Sequence, residues 1–88
     1  MTVSFTYRAD VLAALLVHGV RPTAASRPQL VRDFVRDLYK YEIRRLRERY
    51  LRGEFPKAEY SARVDALRRQ YPVLALPARE WAVSRSDL

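Results

Sequence analysis

Residues 26–52 carry the longest continuous pattern in this 88-residue chain, and they constrain its fold more than any other stretch. Apolar side chains recur there at helical spacing, at Val31, Val35, Leu38, Ile43, Leu46 and Tyr50. A period near 3.6 residues that is kept over this length predicts one long amphipathic α-helix. Such a helix would reach roughly 39 Å, which is more than a compact domain of this size needs. We therefore expect part of it to project from the core or to be covered by a second subunit.

The same stretch concentrates the positive charge of the chain. It holds nine of the 17 basic residues and four of the ten acidic ones, in a chain whose formal net charge is +7. On the side away from the apolar stripe, helical spacing predicts a basic ridge of Arg36, Lys40, Arg44 and Arg47. These four residues are candidate anion or nucleic-acid contacts, since basic surfaces attract nucleic acids and acidic proteins. Alternatively, Asp33, Asp37 and Glu48 pair with the ridge at helical spacing, and the ridge is only a solvated face.

Three charged residues of this helix fall on or beside its apolar stripe. Glu42 lies near the middle of the stripe, and Arg45 and Arg49 flank the same side. A buried charge must be paired, so we expect an ion-pair cluster of these residues at a helix interface. A buried site for an anion or another ligand is the alternative.

Two further helices are expected around the long one. Residues 9–17 are apolar on almost every side, which is typical of a helix in a core or an interface, and Gly19 supplies its stop. A third helix is predicted over residues 57–71, and the short break at residues 53–56 makes it an antiparallel neighbour of the long helix. The chain is therefore predicted to be a single, mainly all-α domain over residues 1–88, built around a helical hairpin.

The two ends of the chain have weaker patterns. Residues 2–7 alternate polar and apolar side chains, which indicates a strand that could pair with residues 73–76. One further helical turn is expected over residues 77–83, carrying Trp81 as a plug over the core. Residues 84–88 are expected to be a frayed tail.

Residues for catalysis, cofactor binding and metal binding are scarce. The chain has no cysteine, one histidine (His18) and two glycines, so no metal site, cofactor or phosphate-binding loop is predicted and an enzyme is not expected.

The apolar run at residues 9–17 is too short to span a bilayer. A signal peptide is disfavoured by Asp10 at the head of that run and by Arg21 and Pro22 in the cleavage region. A cytoplasmic protein is the expectation. The arginine-rich, asparagine-free composition is typical of a GC-rich or a heat-adapted genome.

The hairpin at residues 43–70 resembles the SHOCT module, a short bacterial helical hairpin. Its matching positions are Gly53, Phe55, Glu59, Tyr60 and Leu67, which follow a leucine-rich helix. Pro56 departs from the pattern, because the family usually has a Thr or Ser cap there. The resemblance implies a role in oligomerisation or interaction and brings no catalytic residues with it.

Two hypotheses about function follow. The first is a small non-enzymatic helical interaction protein that forms a homo-oligomer, with a dimer favoured. The second is a basic nucleic-acid-binding protein that uses its arginine-rich helix.

Overall fold

The computed structural model describes residues 2–87, and the side chains of residues 3–85 within them. The regular elements, in chain order, are β1 (Thr2–Tyr7), α1 (Ala9–Leu16), α2 (Pro28–Leu51), α3 (Lys57–Arg69), the 3₁₀ helices Pro72–Ala75 and Ala78–Glu80, and β2 (Ala82–Asp87). The prediction of a mainly helical domain with a short terminal β pairing is confirmed. Among the residues that the structure describes, no helix combines the length and the apolar composition needed to cross a bilayer.

The partner of the first strand differs from the prediction. β1 pairs antiparallel with β2, with Phe5 opposite Ser84, while residues 73–76 lie mostly in a 3₁₀ helix. Pro72 starts that helix, and Val73 is buried in it at 3% exposure, so this apolar run packs inward instead of extending. The expected frayed tail is wrong for residues 84–87, which belong to β2, and Leu88 lies outside the described residues.

The ends of the helices follow from local sequence. α1 ends at Leu16, and in the turn that follows, Gly19 has a φ of +74° that lets the Val20 amide bond back to the carbonyl of Leu15. α2 begins after Arg27 and not after Ser26, the residue expected to cap it. The hydroxyl of Ser26 instead accepts a hydrogen bond from the Thr23 amide, within the loop before the helix.

The core lies where the strands, α1 and the first half of α2 meet. Its buried members are Tyr7, Val11, Leu15, Val35, Tyr71, Val73 and Trp81. Trp81 is fully buried, as the plug prediction required, and its indole N–H donates to the carbonyl of Leu76. Arg32 fixes the same segment to α2, because its guanidinium donates to the carbonyls of Leu74 and Leu76 at 2.8 and 2.9 Å.

The second half of α2 projects from this core together with α3. The molecule measures 58 × 19 × 18 Å, so the expectation of a projecting helix holds. The two helices run antiparallel: Tyr50 stacks on Tyr60 beside the turn, and Tyr39 meets Tyr71 at the other end of α3. Gly53 makes the turn with a φ of +78°.

Candidate functional site

One basic groove lies between α2 and α3. Three members of the predicted ridge, Lys40, Arg44 and Arg47, line it, and Arg68 of α3 faces them across a volume of about 360 Å³. Tyr39, Ile43 and Val64 complete the lining. All four basic side chains are exposed, and none of the lining residues is acidic. This basic groove offers four cations to an anionic ligand with no carboxylate to compete.

Arg36, the first residue of the predicted ridge, has a different environment. Its guanidinium lies 3.4 Å from Asp33 and 3.5 Å from Asp37, so two carboxylates of its own helix offset its charge. The other expected pairs, Asp37 with Lys40 and Arg44 with Glu48, are not formed among the described residues. Arg36 therefore lies apart from Lys40, Arg44 and Arg47, which share their groove with Arg68. Residue spacing within α2 could not predict Arg68, because it belongs to another helix.

The expected ion-pair cluster of Glu42, Arg45 and Arg49 is not formed. All three side chains line one groove of about 390 Å³, but the half-buried Glu42 accepts a hydrogen bond from the hydroxyl of Tyr71. Arg49 donates instead to Glu54 at 3.1 Å, and Arg45 lies over the ring of Tyr41. The reason is the position of the neighbours, because the end of α3 brings a phenol to Glu42 and the hairpin turn brings a carboxylate to Arg49.

Tyr71 is the centre of a small polar cluster that sequence reasoning missed. Its exposure is 3%, and burial, followed by the hydrogen bond to Glu42, raises the pKa of its phenol above the usual range. The ring of His18 stacks on it at 4.0 Å, and Nε2 of His18 donates to the carbonyl of Gln70 at 2.6 Å. Through these contacts the cluster ties the end of α1, the middle of α2 and the end of α3 together.

The tip of the hairpin uses its arginines internally. The guanidinium groups of Arg49 and Arg63 lie over the ring of Phe55, at 5.4 and 4.5 Å from its centroid. Glu54 accepts hydrogen bonds from Arg49 and from Arg52, and these two arginines lower the pKa of its carboxyl. These contacts hold the turn of the hairpin together.

A contiguous apolar surface lies on the opposite end of the molecule. It consists of Leu12 and Leu16 on α1, at 39% and 51% exposure, and Leu30 and Phe34 on α2, at 64% and 59%. The two pairs line neighbouring grooves that share Val20, Arg21 and Pro22, so this mainly apolar surface includes the exposed charge of Arg21. The sequence predicted α1 to lie in a core or an interface, and only Val11 and Leu15 of α1 are buried in this chain. The sequence of α2 also indicated this surface, because Leu30 and Phe34 are apolar but lie outside the apolar stripe that packs on the core.

The chemistry of metal binding is not supported anywhere in the described part of the chain, where no three His, Asp or Glu side chains are grouped to hold an ion. In comparisons with known proteins, no family model, no curated protein and no solved structure matches this chain.

Proposed function

We propose that this protein is a small non-enzymatic interaction module that self-associates through the apolar surface of Leu12, Leu16, Leu30 and Phe34. The observation that carries the proposal is the exposure of Leu30 and Phe34, which are one helical turn apart on the same side of α2. Contiguous apolar surfaces on soluble proteins mark sites of association. The resemblance of residues 43–70 to SHOCT modules supports the same role. The absence of cysteine fits a reducing cytoplasm as the place where the module acts.

The energetics favour a modest dimer. A leucine or phenylalanine side chain contributes about 1.5–3 kcal/mol when it passes from full exposure to full burial, and these four, at 39–64% exposure, would contribute roughly half of that each. The burial of eight such side chains, four from each copy, would stabilise the dimer by more than the lower end of the free-energy cost of association, which is about 4–15 kcal/mol. The net charge of +7 on each copy opposes assembly, so we expect dissociation in the micromolar range.

The chain offers a matched pair of variants for the test. Leu30 and Leu51 are both exposed leucines of α2, at 64% and 68%, but only Leu30 belongs to the apolar surface. We expect Leu30→Glu to shift the mass measured by light scattering at micromolar concentration toward one chain, while Leu51→Glu leaves it at the wild-type value. Equal effects of the two substitutions would overturn the assignment of the surface.

A second candidate function is the binding of nucleic acid in the basic groove. The specific observation is that Lys40, Arg44, Arg47 and Arg68 line it without an acidic neighbour. Four phosphate contacts would give a slope of about −3.6 for log K against log salt on duplex DNA.

Two adjacent arginines of α3 provide the control for this candidate. Both are exposed, but Arg68 lines the groove and Arg69 does not. In a fluorescence anisotropy titration, Arg68→Gln is expected to lower the affinity and reduce the salt slope by about one contact, and Arg69→Gln to change both less. No binding of duplex or single strands at low salt would remove the candidate.

A further inference from the structure

The exposed side of α2 carries charges as well as apolar groups. Leu30, Phe34 and Asp37 lie on one side of the helix, because steps of three and four residues return to the same face. Arg27 precedes the first turn and makes no ion pair with any residue that the structure describes. The side chain of Asp37 is 68% exposed, and its one ion-pair contact, to Arg36, is 3.5 Å long. Arg27 is therefore available to a partner, and Asp37, although it contacts Arg36, is exposed enough to meet one as well.

These four residues are complementary to themselves when the helix is reversed. Around position 32, Leu30 and Phe34 are at equal distances on either side, and so are Arg27 and Asp37. An apolar pair is thus enclosed by a pair of opposite charges at symmetric positions. A two-fold axis at position 32 would place Leu30 opposite Phe34 of a second copy, and Arg27 opposite its Asp37.

We propose that two copies of this chain associate through antiparallel α2 helices with a two-fold axis at position 32. Leu30 then packs on the partner's Phe34, and Arg27 pairs with the partner's Asp37, each contact occurring twice. This inference rests on the proposed self-association and specifies the geometry of its α2 part, the contact of Leu30 and Phe34. A parallel pairing is disfavoured, since it would place Arg27 against the partner's Arg27 and Asp37 against the partner's Asp37.

The antiparallel arrangement has a consequence for the basic grooves. The two-fold axis is perpendicular to the plane that contains the two antiparallel helices. Equivalent side chains of the two copies therefore lie on the same face of the helix pair. Lys40, Arg44 and Arg47 lie roughly a quarter turn around α2 from Leu30 and Phe34 at about 100° per residue, so both grooves open on one face of the dimer. Their centres would be roughly 35 Å apart along the helices, at 1.5 Å per residue.

Cysteine cross-linking tests this register cleanly, because the chain has no cysteine of its own. Arg27→Cys and Asp37→Cys are prepared as separate full-length proteins, mixed, and treated with a short bifunctional thiol reagent. The mixture is expected to give a covalent dimer. Each protein alone is expected to give little, since equivalent positions are then roughly 15 Å apart along the helices. In the mixed dimer the second Arg27–Asp37 contact is retained, so the substitutions do not abolish association.

Charge reversal gives an independent reading with the same two exposed positions. Arg27→Asp and Asp37→Arg are each expected to weaken the dimer roughly tenfold, because two like-charge contacts replace two attractive ones. The double variant is expected to recover most of the wild-type affinity. A wild-type protein that remains monomeric in sedimentation overturns the proposed function itself. A wild-type dimer with cross-links in the single-cysteine proteins alone, or with no rescue in the double variant, overturns only the register.

Discussion

The hydroxyl of Tyr71 donates a hydrogen bond to the carboxylate of Glu42, joining the second residue after α3 to the middle of α2. Tyr71 is buried and Glu42 is half-buried, so the bond lies at the junction of the core and the projecting hairpin. His18 stacks on the same phenol ring from the end of α1. The contact therefore links the hairpin to the core.

Unfolding should become easier at alkaline pH. Burial raises the pKa of Tyr71 and of Tyr7 in the folded protein, whereas in the unfolded chain both phenols titrate near 10. The unfolded state therefore loses its protons first, so this stability is fully present below about pH 10 and is lost as the pH rises above it.

Thermal unfolding followed between neutral pH and about pH 11 checks this expectation. Tyr71→Phe is expected to flatten the decline, and Tyr41→Phe, at an exposed position, to leave it unchanged. A decline of the same steepness in Tyr71→Phe would contradict the account.

Arg32 is expected to be more sensitive to conservative replacement than the other arginines of α2. It bonds to two backbone carbonyls, of Leu74 and Leu76, with the fork of its guanidinium. Lysine has a single ammonium group and cannot reproduce that geometry. Arg32→Lys should lower the free energy of unfolding by about 1–2 kcal/mol in urea denaturation. The control is Arg36→Lys, whose free energy of unfolding should stay within about 0.5 kcal/mol of wild type. A comparable loss in Arg36→Lys would contradict a special role for the two hydrogen bonds of Arg32.

The turn of the hairpin should depend on the backbone freedom of Gly53. Its φ is +78°, and a Cβ built on it meets no atom within 4 Å, so the penalty for another residue comes from the backbone alone. We expect Gly53→Ala to cost about 1 kcal/mol and Gly53→Asn less, because asparagine tolerates the left-handed region better. Midpoints of urea denaturation at unchanged slope measure the difference. An alanine variant as stable as wild type would show that the turn relaxes into another conformation.

If nucleic acid binds in the basic groove, dimerisation should raise the affinity of the protein for duplex DNA. Two grooves on one face contact the same duplex together, so the salt slope of the dimer should be about twice that of one chain. Leu30→Glu is then expected to lower both the affinity and the slope, relative to Leu51→Glu with the same change in charge. Unchanged binding by Leu30→Glu would show that each chain binds alone.

Sequence patterns predicted the helical elements well because their signals are local. The spacing of Val31, Val35 and Leu38 identified the buried side of α2, and Gly19 and Gly53 identified the ends of two helices. The role of Trp81 was also predictable, because a large apolar residue in a short chain needs a core to fill.

Contacts between distant parts of the chain were not predictable in the same way. Helical periodicity showed that Glu42 faces inward, but it did not show that Tyr71 would stand opposite. Residues 73–76 and 82–87 are both short and apolar in part, and local sequence does not show that Val73 packs in the core while residues 82–87 pair with β1. The basic groove likewise depends on Arg68, which belongs to another helix.

Sedimentation equilibrium of the unmodified protein over a range of micromolar concentrations tests self-association most directly. We predict a mass that rises with concentration from that of one chain, 10.3 kDa, toward twice that value. Leu30→Glu should remain at the mass of one chain under the same conditions, and Leu51→Glu should follow the wild type. A wild-type protein that stays at the mass of one chain at every concentration would contradict the account.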